Sequence, residues 1–141
     1  MATTLDKVVY TAKAHTTGGR EGGASRTSDG HLDVKLSIPG APGNGTNPEQ
    51  LFAVGWSACF MSAMKLAAVQ SKVKFPADAA IDAEVDLCKT DTEDYFLQAR
   101  LNVSLPALDH QVAQSLVDAA ARLCQYSKAT HGNIEASYNL V

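Results

Sequence analysis

The chain has 141 residues, 45% of them hydrophobic and 19% charged, with a formal net charge of −3 at pH 7. That length suits one domain with one respectable core. A weakly acidic chain with scattered lysines and arginines lacks the basic patch that nucleic acid requires.

The opening Met-Ala-Thr-Thr-Leu-Asp-Lys has no apolar h-region, so no signal peptide is expected. Val8, Tyr10, Ala12 and Ala14 alternate with Val9, Thr11 and Lys13, which predicts a strand. A glycine-rich loop, TTGGREGGAS (16–25), and a turn, SDG (28–30), follow. Leu32, Val34, Leu36 and Ile38 alternate with Asp33, Lys35 and Ser37, a second half-buried strand. The stretch PGAPGNGTNP (39–48) is a loop. A helix starts there, with Asn47 as N-cap, Pro48 at the first helical position and Gln50 as capping-box partner. It runs to about Gln70 and is apolar on nearly every face. A membrane span is not the expected reading, because Ser57, Ser62 and Lys65 interrupt Leu51–Val69. The expectation is a cytoplasmic protein whose helix is buried all round, by sheets on one side and a second subunit on the other.

Ile81, Ala83, Val85 and Leu87 alternate with acidic residues, and Leu97, Ala99, Leu101, Val103 and Leu105 alternate with polar ones. These predict two antiparallel strands joined by a polar loop, 89–95. Asp109 caps a second helix with the stripe Val112, Leu116, Ala119, Ala120 and Leu123, and Ile134, Ala136, Tyr138 and Leu140 make a last strand. The class is α+β, with mostly antiparallel sheets around two main helices in a single domain over 1–141.

Three cysteines, Cys59, Cys88 and Cys124, are odd in number, widely spaced and without a CxxC pair, which argues against a disulfide scaffold and a structural zinc site. A cysteine reacts as thiolate and needs nearby positive charge. Cys59 lies about three turns into its helix, where the helix dipole has faded, and Lys65 faces elsewhere. Any cation must therefore come from a distant part of the chain. Arg20, in GGREGG (18–23), is the candidate, because flanking glycines let the backbone approach closely; the bland reading is a solvated arginine in a hairpin loop. Cys124 ends the second helix, and two cysteines on separate apolar helices can meet across a core. Cys88 falls on the acidic face of its strand, where carboxylates disfavour a thiolate, and reads as a bystander. The dispersed His15, His31, His110 and His131 fit no metal motif, so no metal is expected, and only His131 tempts as a general base.

The stretches GGREG (18–22), TNPEQLFAVGWSACF (46–60) and LCQYSKATHGNI (123–134) resemble the organic hydroperoxide resistance proteins of the osmotically inducible protein C superfamily, over nearly the whole chain. The resemblance implies a dimeric, thiol-dependent peroxidase, with Cys59 peroxidatic, Cys124 resolving, and Arg20 and Glu49 a charged pair that holds the Cys59 thiolate. It implies no bound cofactor. Organic hydroperoxide is reduced to alcohol, leaving a sulfenic acid and then a Cys59–Cys124 disulfide, which an external dithiol such as dihydrolipoamide on a lipoylated protein reduces. The family often has proline after the second cysteine, where this chain has Gln125. Phe52, Trp56, Phe60, Met61 and Met64, on or near the Cys59 helix, are substrate-pocket candidates, with plain core as the other reading. The alternatives in function are a hydrogen-peroxide-preferring branch of the same superfamily, and a non-enzymatic redox sensor or apolar-ligand carrier. Glu49 and Cys59 stand about 15 Å apart along one helix. A two-fold dimer with crossing helices would bring Glu49, and with it Arg20, to the partner subunit's Cys59.

Overall fold

A computed structural model describes residues 3–141. The chain divides into two compact units, one up to Pro48 and one from Glu49 to Val141.

The first unit holds a three-stranded antiparallel sheet of β1 (Ala14–Thr17), β2 (Ala24–Thr27) and β3 (Asp33–Lys35), in that order. The expected strand over Val8–Ala14 is present only from Ala14, where pairing with Thr27 begins. Alternation makes a strand only where another strand supplies hydrogen bonds. Among the described residues, 8–13 belong to no strand, although the Lys13 carbonyl accepts the Ser28 N–H at 3.0 Å, and Val8, Val9 and Tyr10 stand 77–90% exposed. β2 falls partly inside the stretch expected to be loop. The loop proper is 18–23, where Gly18, Gly19 and Gly22 take positive φ. A Cβ on Gly23 would run into the carbonyl oxygens of Thr17 and Gly19, so the close turn needs glycine there. Of the predicted second strand, Leu32–Ile38, only Asp33–Lys35 pairs continuously, with Leu36 bridging to Thr46.

The second unit is built on α1 (Pro48–Ser71), β4 (Ala80–Lys89), β5 (Tyr95–Ser104), α2 (His110–Leu123), α3 (Gln125–Thr130) and β6 (Glu135–Leu140). β4 and β5 pair antiparallel, and β6 joins β5 in parallel. Parallel neighbours need a crossover, and α2 and α3 supply it. Asp109 caps α2 by accepting a hydrogen bond from the Gln111 backbone N–H. The alternating residues of β5 bury Ala99, Leu101 and Val103, with Leu105 just beyond the strand, against Trp56, Phe60 and Met64 of α1 and Leu116 and Val117 of α2. Helix α1 is long and apolar enough to cross a membrane by composition, yet one face of it makes this core. It is not covered all round by its own chain. Val54, Leu66 and Val69 are 66%, 48% and 75% exposed.

Candidate active site

Two helix features bring the two cysteines together. Cys59 sits mid-α1, between Trp56 and Phe60, which face the core. Cys124 occupies the break between α2 and α3, with φ −64° and ψ 126°. Its N–H still bonds to the Ala120 carbonyl, while its extended ψ turns the chain into α3. The two sulfurs lie 3.0 Å apart, both reduced. A disulfide needs them about 1 Å closer. Cys124 is fully buried and Cys59 half-buried, so solvent reaches the pair from the Cys59 side. Burial, and then the hydrogen bond with Cys59, push the Cys124 thiol up.

Gln125 is the first residue of α3, a position where proline also fits because the N–H there has no intrahelical partner. The chain bends at Cys124 without a proline, and glutamine adds a side chain that proline lacks. Its Oε1 accepts the Cys59 S–H at 3.0 Å. Tyr126, next along, lies across α1 at Gly55, one turn before Cys59. A Cβ on Gly55 would stand 2.7 Å from the Tyr126 hydroxyl oxygen. Phe52 packs edge-on against both Trp56 and Tyr126, at centroid distances of 5.7 and 6.1 Å. Behind the cysteines, Trp56 Nε1 and the Tyr138 hydroxyl both donate to Ser127 Oγ.

The remaining expected residues fall in several places. Trp56, Phe60 and Met64 are wholly buried in the core and present no surface to a solute, whereas Phe52 is half-buried beside Tyr126. Met61 is half-buried and opens on a different cleft, lined also by Lys65, Val69 and Phe75. Arg20 lies in the β1–β2 loop of the first unit, half-buried, and Glu49 in the first turn of α1. Cys88 stands on β4 opposite Phe96. His131 ends α3 and lines a cleft with Arg122, Lys128 and Tyr138. Among the described residues no three His, Cys, Asp or Glu side chains gather as a metal site. Sequence reasoning missed Gln125, Tyr126, Ser127 and Tyr138 as neighbours of the thiols. The one available signal was the run of Gln125, Tyr126 and Ser127 directly after Cys124; Tyr138, on β6, had none.

The chain matches the family model of OsmC-like proteins over residues 40–139. It is 47% identical over 139 residues to the organic hydroperoxide resistance protein of Xanthomonas axonopodis pv. citri, covering 96% of each chain. It is 39% identical over 136 residues to the organic hydroperoxide resistance protein OhrB of Bacillus subtilis, covering 94% of this chain and 98% of that one. The crystal structure of OhrB superposes with a TM-score of 0.89 over 95% of this chain and all of that one.

Proposed function

The chain belongs to the organic hydroperoxide resistance branch of the OsmC-like proteins, and we propose that it is a cysteine-based peroxidase acting on organic hydroperoxides. The observation that carries this reading is the 3.0 Å contact between Cys59 and Cys124 sulfurs at the end of a half-open approach. The Cys59 thiolate attacks one peroxide oxygen, the O–O bond breaks, and the alkoxide leaves as alcohol after taking a proton. Cys59 is left as sulfenic acid. Cys124 displaces its hydroxyl as water and closes the disulfide. A dithiol of the dihydrolipoamide type, carried on a lipoylated protein, then reduces that disulfide by two exchanges and is itself oxidised.

The polarity of the approach favours an organic substrate. Phe52 and Tyr126 offer apolar contact to an alkyl group, and hydrogen peroxide has nothing to place there. We assign the task of holding the Cys59 thiolate to Arg20, with Glu49 satisfying its guanidinium, since a poorly solvated arginine needs a carboxylate partner. The working molecule in this reading is a cytoplasmic homodimer. The exposed Val54, Leu66 and Val69 on α1, and Leu5, Val8, Val9 and Tyr10 ahead of β1, are the apolar surfaces a second copy would cover.

Turnover tests the reading. With dihydrolipoamide present, the protein should consume many equivalents of organic hydroperoxide, and fewer of hydrogen peroxide. Cys124→Ser should react once, stop at sulfenic acid and over-oxidise with excess peroxide. Consumption that ends at one equivalent in the unsubstituted protein means a sensor rather than an enzyme.

A further inference from the structure

The first step of the peroxidase reading, on which this inference rests, leaves one developing charge without an assigned partner. The Cys59 thiolate attacks the terminal oxygen of R–O–O–H. The S–O bond forms, the O–O bond breaks, and its electron pair goes to the inner oxygen. Cys59 keeps the terminal oxygen with its hydrogen as sulfenic acid, and RO⁻ leaves, taking a proton from water. An alkoxide is a strongly basic leaving group. A hydrogen-bond donor at the inner oxygen speeds the step, because that charge grows only towards the transition state.

Such a donor has to stand on the open side of Cys59. Fully buried Cys124 closes the other side, 3.0 Å from the Cys59 sulfur. The nearby donors behind the cysteines, Trp56 Nε1 and the Tyr138 hydroxyl, are both engaged with Ser127 Oγ at 3.0 Å.

Gln125 meets the condition. Its side chain is exposed, and its Oε1 touches the Cys59 sulfur at 3.0 Å. The NH2 on the same carbon carries two N–H bonds, and among the described residues it donates to no group of this chain. Ionisation of Cys59 removes the S–H that Oε1 accepts and so frees the amide. The last torsion of glutamine is soft, so either end of the amide can then face an arriving peroxide. The backbone that carries it is set, because Gln125 opens α3 directly after the extended Cys124. A proline at this position has no side-chain donor. Tyr126 is the rival donor. Its hydroxyl lies against Gly55, one turn of α1 before Cys59, whereas Gln125 is at the sulfur itself.

We propose that Gln125 is a catalytic residue of peroxide reduction: its side-chain N–H donates to the inner peroxide oxygen and stabilises it as the leaving alkoxide.

Leaving groups of unequal basicity test it. Acetate, released from peracetic acid, is a far weaker base than an alkoxide and gains little from a donor. The reduced protein is mixed with tert-butyl hydroperoxide or with peracetic acid, and the first turnover is timed for each. Gln125→Leu should slow the reaction with tert-butyl hydroperoxide roughly tenfold, the effect of one lost hydrogen bond in the transition state. The reaction with peracetic acid should slow by no more than about twofold, because little charge is left for the donor to stabilise. Gln125→Pro, which suits the first helical position, should shift the ratio of the two rates in the same direction. If Gln125→Leu does not fold, Gln125→Pro decides. A parental ratio overturns the proposal, since equal slowing would put the amide's effect on the thiolate rather than on the leaving group. A ratio that shifts in Tyr126→Phe and not in the Gln125 variants assigns the donor to Tyr126 and overturns it too. Should the unsubstituted protein reduce neither compound, the peroxidase reading fails and this proposal with it. Reduction of both by the unsubstituted protein, with a parental ratio in the variants, fails this proposal alone.

Discussion

Gln125 accepts the Cys59 S–H through Oε1 at 3.0 Å, although the two residues are 66 positions apart in the chain. The second cysteine and its successor thus flank the first from one short segment. A neutral amide serves either state of the sulfur: its oxygen accepts from the thiol, and its NH2 group, after a turn about the last torsion, donates to the thiolate.

A carboxylate at this position can only accept, and it repels a thiolate. Gln125→Glu should therefore cut the rate of Cys59 alkylation at neutral pH by roughly tenfold and move its pH profile upward. Gln125→Leu should have a smaller effect. An unchanged profile in Gln125→Glu would mean that the amide does not touch the sulfur in solution.

Gly55 makes room for the Tyr126 ring. A methyl group there meets the far end of a side chain that is 40% exposed and free to swing. Gly55→Ala gains roughly 0.5–1 kcal/mol of helix propensity, so its melting temperature should change little. The displaced ring should nevertheless weaken organic hydroperoxide turnover more than hydrogen peroxide turnover. A Gly55→Ala variant with the parental ratio of the two activities would remove Tyr126 from the approach.

Arg100 on β5 grips Asp86 on β4 with two hydrogen bonds of 2.8 and 2.9 Å. This contact, with help from Gln98, holds the Asp86 carboxyl down to about 2, from an ordinary value of 3.8. A depressed carboxyl stabilises the fold above its unfolded value and loses that contribution as pH falls towards the folded value. Stability from this pair should be complete above about pH 4 and fade towards pH 2. Asp86→Asn should be less stable at neutral pH and show a shallower acid limb between those values in thermal melts. Both side chains are about a third exposed, so the effect should shrink in high salt.

Subunit mixing tests whether the site is built from two chains. Cys59→Ser and Glu49→Ala homodimers should each be nearly inactive. Refolded together, mixed dimers carry both lesions in one site and none in the other. Random mixing makes about half the dimers mixed, so activity should recover to about a quarter of the unsubstituted level. Mixed dimers as inactive as their parents would put Glu49 and Cys59 in one chain's site.

Much of the architecture was legible because it is periodic. The alternation along β4 and β5, the Asp109 cap and the Pro48 start of α1 are local signals that the fold obeys. The expected strand over residues 8–13 did not form because alternation alone supplies no partner strand. β2 hid within a glycine-rich stretch, and α3, at six residues, is too short to carry a stripe. Spacing raised the meeting of Cys59 and Cys124 as an option and could not select it, since they are 65 positions apart with β4, β5 and α2 between them. Gln125 carried no signature beyond its place directly after Cys124. Its contact with Cys59 comes from the extended backbone at Cys124, which aims α3 back at α1.

The central claim is that Cys59 and Cys124 form one redox pair. Peptide mapping after one equivalent of an organic hydroperoxide measures it most directly. The account predicts a Cys59–Cys124 disulfide as the main product, with Cys88 still alkylatable. A main product bridged through Cys88, or Cys59 oxidised while Cys124 stays free, would contradict it.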